Sequence, residues 1–157
     1  MNPRALIIGY GNPLRSDDVA GRRVAEELSH SPLPDGVDVI TQHQLTPELA
    51  SYVSQADLVL FLDSTQDGTP GEISYEIVKR NSTSTSSSHE FSPSSILSFS
   101  EELYGRSPQA FLVSICGKCF DHGESLSPEV ESNLPRMRAL VLELINKPSA
   151  LAKTANG

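Results

Sequence analysis

Ala5-Leu6-Ile7-Ile8-Gly9-Tyr10-Gly11-Asn12-Pro13-Leu14-Arg15-Ser16-Asp17-Asp18-Val19-Ala20-Gly21 carries a complete structural unit. Residues 5–8 are continuously apolar, the pattern of a short strand buried on both faces. Gly9 and Gly11 close the run with a turn. From Ser16, read as an N-cap, Ala20, Val24 and Leu28 recur every four residues along one face of a helix. A buried strand, a glycine turn and an amphipathic helix in that order open an α/β fold.

The rest of the chain repeats the theme. Leu58-Val59-Leu60-Phe61-Leu62 and Ala110-Phe111-Leu112-Val113-Ser114-Ile115 are further buried-strand runs, and Val37-Asp38-Val39-Ile40 is a weaker one. Ile73, Tyr75 and Ile77 alternate with Glu72, Ser74 and Glu76, which predicts a half-exposed edge strand. Thr46-Pro47-Glu48, Ser92-Pro93 and Ser127-Pro128-Glu129 each place a hydroxyl before a proline, the signature of a helix start. Val130, Leu134, Met137, Val141 and Leu144 form the stripe of the last helix, which Pro135 kinks or shortens by a turn. The expected fold is a three-layer α/β/α sandwich around a five-stranded, mostly parallel twisted sheet with one antiparallel edge strand. It forms a single domain over residues 1–146, with a polar Ser/Thr loop at 81–88 and a fraying tail at 147–157.

Composition narrows the function. The chain has 157 residues, with 12 Lys+Arg against 20 Asp+Glu and a net charge of −8. An acidic surface of this kind disfavours nucleic acid and anionic membranes, both of which call for basic faces. No run approaches the ~18 apolar residues of a bilayer span. Two cysteines, Cys116 and Cys119, do not make a disulfide framework. A soluble cytoplasmic protein is the expectation.

The glycine turn is not a dinucleotide site. Leu14 stands where the third glycine would be, Pro13 removes an N–H, and Asp17 and Asp18 would repel a pyrophosphate. Ligands of open α/β sheets bind outside the carboxyl ends of the strands. Asp18 follows the first strand, Asp63 closes the third, and His89 precedes the third helix. Two carboxylates and an imidazole with open positions suit a borderline transition metal. Each residue has an ordinary alternative: first-turn capping for Asp17 and Asp18, an Asx turn for Asp63, and a solvated loop histidine for His89. Cys116-Gly117-Lys118-Cys119 lacks a full zinc ligand set even with His122 added, and an incidental pair of thiols is its simpler reading.

Residues 9–21 resemble the opening motif of the hydrogenase maturation endopeptidases, the small proteases that trim the C-terminus of [NiFe] hydrogenase large subunits. The resemblance continues at Asp63, at His89 and at Leu126-Ser127-Pro128-Glu129-Val130, spanning roughly residues 4–146. It implies an endopeptidase, of aspartyl or metal-dependent type, that acts on a large-subunit precursor after nickel insertion. In that reading Asp18 and Asp63 are catalytic, and Asp18, Asp63 and His89 contact nickel that the substrate supplies. Asn12, Asp17, His43 and Gln44 are assigned to the rim that holds the substrate. Either Asp17 or Asp18 is open as general base, and no GxSxG elbow points to a serine nucleophile. The segment His43-Gln44-Leu45-Thr46-Pro47-Glu48-Leu49 looks like the branch serving bidirectional NAD(P)-linked hydrogenases. A monomer is expected. The competing class is a non-cleaving, nickel-dependent checkpoint module using the same three residues, and a small-molecule hydrolase is a third reading.

Overall fold

The computed structural model describes residues 4–80 and 91–155. Its elements are β1 (Ala5–Tyr10), α1 (Ala20–Ser29), β2 (Val37–Gln42), α2 (Leu49–Ser54), β3 (Leu58–Thr65), β4 (Ile73–Ile77), α3 (Pro93–Tyr104), β5 (Gln109–Cys116), α4 (Pro128–Glu131), α5 (Leu134–Asn146) and α6 (Pro148–Ala155). The five strands form one sheet in the order β2-β1-β3-β5-β4. All pairs are parallel except β4 with β5, which run antiparallel at the edge. This is the expected architecture.

Alternation along the strands divides the core in two. Ile7, Leu58, Leu60, Leu62, Phe111, Val113 and Ile115 pack under α1 and α5. Leu6, Ile8, Val59, Phe61 and Ala110 pack under α2 and α3 through Leu49, Val53, Ile96 and Leu97. On this second face the apolar series stops at the carboxyl ends of the strands. The next positions are Tyr10 after Ile8, Asp63 after Phe61 and Ser114 after Leu112, all partly exposed. The candidate site begins where that core ends.

Three of the expected caps are used otherwise. Ser16 does not cap α1; it opens a 3-10 turn, Ser16–Val19, and its hydroxyl donates to the Asp121 carbonyl at 2.8 Å. Ser127 does not cap α4, because its hydroxyl donates to Asp17. Thr46-Pro47-Glu48 forms a turn ahead of α2, which starts at Leu49. Ser92 does cap α3, accepting from Ser95 N–H at 3.1 Å. Pro135 opens α5, leaving α4 as a separate turn. Residues 148–155 of the tail do not fray as expected: Pro148 restarts a helix, α6, whose Leu151 and Ala152 pack on the α1/α5 core beside β4. Tyr75 Oη donates to the Leu151 carbonyl at 3.4 Å across that contact.

Small residues let α1 lie against the ends of β1 and β3. A Cβ on Gly21 would stand 2.4 Å from the Leu62 carbonyl carbon and 2.5 Å from the Asp63 nitrogen. A Cβ on Gly9 would stand 2.4 Å from Ala25 Cβ. Gly21→Ala therefore forces the helix off the backbone that carries Asp63. It is expected to lower stability by about 1–3 kcal/mol, read as a reduced urea midpoint with an unchanged slope.

Candidate functional site at the carboxyl edge of the sheet

The turn after β1 is folded onto Asp18. Asn12 N–H donates to Asp18 Oδ2 at 2.8 Å, and Leu14 N–H donates to Asn12 Oδ1 at 2.9 Å. Gly11 passes so close that a Cβ there would lie 2.2 Å from the Asp18 carbonyl oxygen. Ser16 adopts φ 51°, left-handed space that a non-glycine residue seldom occupies. It is held there by its N–H to the Gly123 carbonyl and its hydroxyl to Asp121, both 2.8 Å.

Asp17 and Asp18, adjacent in sequence, have opposite surroundings. Asp17 is 0% exposed. Its carboxylate accepts from Lys118 N–H at 2.8 Å, Cys119 N–H at 3.0 Å, Ser127 N–H at 2.8 Å and Ser127 Oγ at 2.8 Å. Burial pushes its pKa up, but the four donors together outweigh burial and hold it below the usual carboxylate range. Asp17 thus clamps the loop between β5 and α4 to the turn that carries Asp18. Its carboxylate is spent on that loop rather than offered to the rim.

Asp18 is partly exposed and sits beside Asp63. Ser64 Oγ donates to the Asp18 carbonyl at 3.2 Å, and Ser64 N–H donates to Asp63 Oδ1 at 2.7 Å, so one residue ties the two acids together. In the β1–β3 register Gly9 is opposite Leu62, which sets Tyr10 next to Asp63. The Tyr10 phenol lies close enough to Asp63 for each to shift the other's proton affinity. Burial pushes Asp63 up to about 6 and the Asp18 charge adds to that, against the bond from Ser64 N–H and the nearby Tyr10 phenol. Burial, and then the charges of Asp63 and Asp18, drive the Tyr10 phenol far above its ordinary range. At neutral pH the cluster is therefore a phenol that keeps its proton beside a carboxylate that titrates near neutrality. Such a carboxylate can accept a proton from water or bind a cation.

The remaining sequence candidates divide. Asn12 is part of the turn, and its side-chain oxygen is used within it. His43 and Gln44 are exposed in the loop leaving β2 at the same edge of the sheet. His89 lies outside the described residues. Among the described residues no three His, Cys, Asp or Glu side chains gather as a metal site, so Asp18 and Asp63 stand as a pair. Cys116 is buried and Cys119 half-buried. Their loop serves Asp17, and Gly117 is required there because a Cβ would meet Asp17 Cβ at 2.9 Å and the Phe120 ring at 2.5 Å. Sequence reasoning missed Tyr10 and Ser64. The signal for Tyr10 was its parity: counted from Ile8 it faces the same side of the sheet as Asp63 counted from Phe61.

The two shifted acids, Asp17 and Asp63, predict opposite effects on stability. Asp63 loses its proton near 3.8 when unfolded and near 6 when folded. Folding then takes up a proton between those values, so stability falls as pH rises through that window and stays lower above it. Asp63→Asn removes the penalty and is expected to be roughly 2–3 kcal/mol more stable than the parent at neutral pH, with no advantage once both states are protonated. Asp17 is depressed, so its stabilisation is present above the unfolded value of 3.8 and lost as pH falls through the lower folded value. Asp17→Ala strands three buried N–H groups and is expected to cost about 3 kcal/mol or more. Denaturant titrations at several pH values check both.

No protein-family model matches the sequence, and no curated protein matches it. Solved structures do match. The chain superposes on the hydrogenase 2 maturation peptidase from Thaumarchaeota archaeon SCGC_AB-539-E09 with a TM-score of 0.69 and 28% identity, over 90% of this chain and 97% of that one. The [NiFe] hydrogenase maturation protease HycI from Thermococcus kodakarensis KOD1 matches with a TM-score of 0.73 and 23% identity, over 92% and 93%. The hydrogenase maturating endopeptidase HybD from Escherichia coli matches with a TM-score of 0.71 and 21% identity, over 93% and 94%. The five-stranded mixed sheet with its single antiparallel edge, flanked by helices, is the α/β fold of the hydrogenase maturation proteases.

Proposed function

We propose that the chain is an endopeptidase that removes the C-terminal extension of a [NiFe] hydrogenase large-subunit precursor, and that it acts once nickel is in place. The observation that carries this reading is the Asp18–Asp63 pair. The two acids are joined through Ser64 and fixed at the carboxyl edge of a fold shared with hydrogenase maturation peptidases. Two carboxylates alone hold a borderline ion weakly, and a set completed by ligands of the substrate holds it far better. The incomplete site then favours loaded over unloaded precursor, which makes specificity a difference of affinities. His89 is the third contact in this proposal.

In the reaction Asp63, held beside the Tyr10 phenol, is the carboxylate suited to take the proton of the attacking water. Asp18 adds the second negative charge of the pair and is held in place by Asn12 N–H. The exposed His43 and Gln44 form the opposite rim. We place the substrate among the bidirectional NAD(P)-linked hydrogenases, on the character of the segment from His43 to Leu49. We propose a cytoplasmic monomer, in keeping with the finding that no helix among the described residues is long and apolar enough to cross a membrane.

Three substrates test the proposal: the C-terminal peptide alone, precursor without nickel, and precursor with nickel. Mass spectrometry is expected to show loss of a short C-terminal peptide from the third only. Asp63→Asn, although stably folded, is expected to cut at least ~100-fold more slowly. Cutting of the free peptide or of the nickel-free precursor contradicts a nickel gate. A stable complex without mass loss replaces the peptidase with a binding module.

A further inference from the structure

The register of the sheet aligns one polar side chain from each of four adjacent strands. Tyr10 on β1 stands next to Asp63 on β3, Asp63 is opposite Ser114 on β5, and Ser114 is opposite Ser74 on β4. In-register neighbours share a face, so these residues form one row on the α2/α3 side, just beyond its apolar core. Ser114 interrupts a strand whose other side chains from Ala110 to Cys116 are apolar. No hydrogen bond joins the hydroxyl of Ser114 or Ser74 to another described residue. A cavity of about 340 Å³ lies over the last three members of the row, bounded by Asp63, Ser114, Ser74, Tyr75 and Glu76.

The far end of the row meets polypeptide backbone. Cys116 N–H donates to the Glu72 carbonyl and Val78 N–H to the Ala110 carbonyl. Antiparallel alternation therefore turns the backbone groups of Glu72, Ser74, Glu76 and Val78 toward β5 and those of Ile73, Tyr75 and Ile77 outward. The Tyr75 ring packs in the core on the opposite face.

We propose that this shelf seats the tail of the substrate, an extended basic segment that crosses from Asp63 over Ser114 and Ser74 to the edge of β4. Hydroxyls that both donate and accept suit the alternating N–H and C=O of an extended chain. The outward backbone of β4 is a ready partner for a strand. Asp67 and Glu76 line the same cavity and, among the described residues, no Lys or Arg does, which selects a basic tail over an acidic one. The distance fits: two strand spacings are about 10 Å, the reach of about three extended residues. This inference rests on the peptidase reading and names which residues bind the part that is released.

The test uses the full chain, isotope-labelled, and two short blocked peptides, one alternating lysine with valine and the other glutamate with valine. The lysine peptide is expected to shift the amides of residues 73–77 and 112–115 and to bind about tenfold more tightly than the glutamate peptide. The double variant Ser74→Val/Ser114→Val is expected to lose about tenfold in affinity for it. Glu76→Gln, on the exposed edge, is expected to narrow the preference between the peptides even if the double variant misfolds. Shifts centred on His43 and Gln44, or equal affinities across peptides and variants, overturn the shelf. With precursor as substrate, the double variant is expected to raise KM and leave kcat unchanged. Cutting with unchanged KM removes the shelf and keeps the peptidase. Peptide binding on the shelf without any cutting by the parent removes the peptidase and keeps the shelf.

Discussion

The buried charge of Asp17 is the constraint around which the carboxyl edge is arranged. A carboxylate withdrawn from water is tolerated only if its lone pairs are filled. Here they are filled by groups about a hundred residues away in the chain: Lys118, Cys119 and Ser127. Several odd local features follow from that demand. The loop after β5 narrows at Gly117 to let the acid in, Ser127 gives up its helix cap to supply a hydroxyl, and Ser16 takes a left-handed conformation to bring the acid round. With Asp17 fixed, its neighbour Asp18 has little freedom left, and it emerges at the surface beside Asp63.

The paired acids of the motif thus divide the labour of structure and chemistry. One is saturated with donors and stays charged at a low pKa, which makes it a good anchor and a poor reagent. The other lies next to a carboxyl whose burial and like-charged neighbour lift it toward neutrality. Tyr10 sits between the apolar core and this pair, its ring continuing the packing of Ile8 and Ile40 and its hydroxyl reaching Asp63. The site is a continuation of the core in which methyl groups give way to oxygen.

Much of this was legible in the sequence, for a definable reason. Buried strands announce themselves by unbroken apolar runs, so β1, β3 and β5 came directly from the sequence pattern, and the alternation of Ile73, Tyr75 and Ile77 marked the antiparallel edge. The acids at strand ends were legible because the fold places ligands there. What was hidden depends on contacts distant in sequence. Nothing near Asp17 in the chain shows that its donors lie beyond residue 116, so it read as a rim residue. Ser16 and Ser127 have the local signature of caps, and tertiary partners outbid it. Leu151 and Ala152 looked like an idle tail because the apolar surface that orders them belongs to another element.

The strand order carries a consequence for how the molecule is made. β3 and β4 follow each other in the chain, yet β5, synthesised later, lies between them. Until β5 emerges from the ribosome, the hydrogen-bonding edge of β3 that bears Asp63 is open and β4 has no partner in the sheet. An apolar strand with an open edge is the usual starting point of intermolecular pairing. The nascent chain therefore passes through an interval in which α1 and α2 can already cover part of β3 while its edge is bare. That interval closes when the last strand inserts. The same insertion brings in the loop that receives Asp17, so the sheet and the site are completed in a single event.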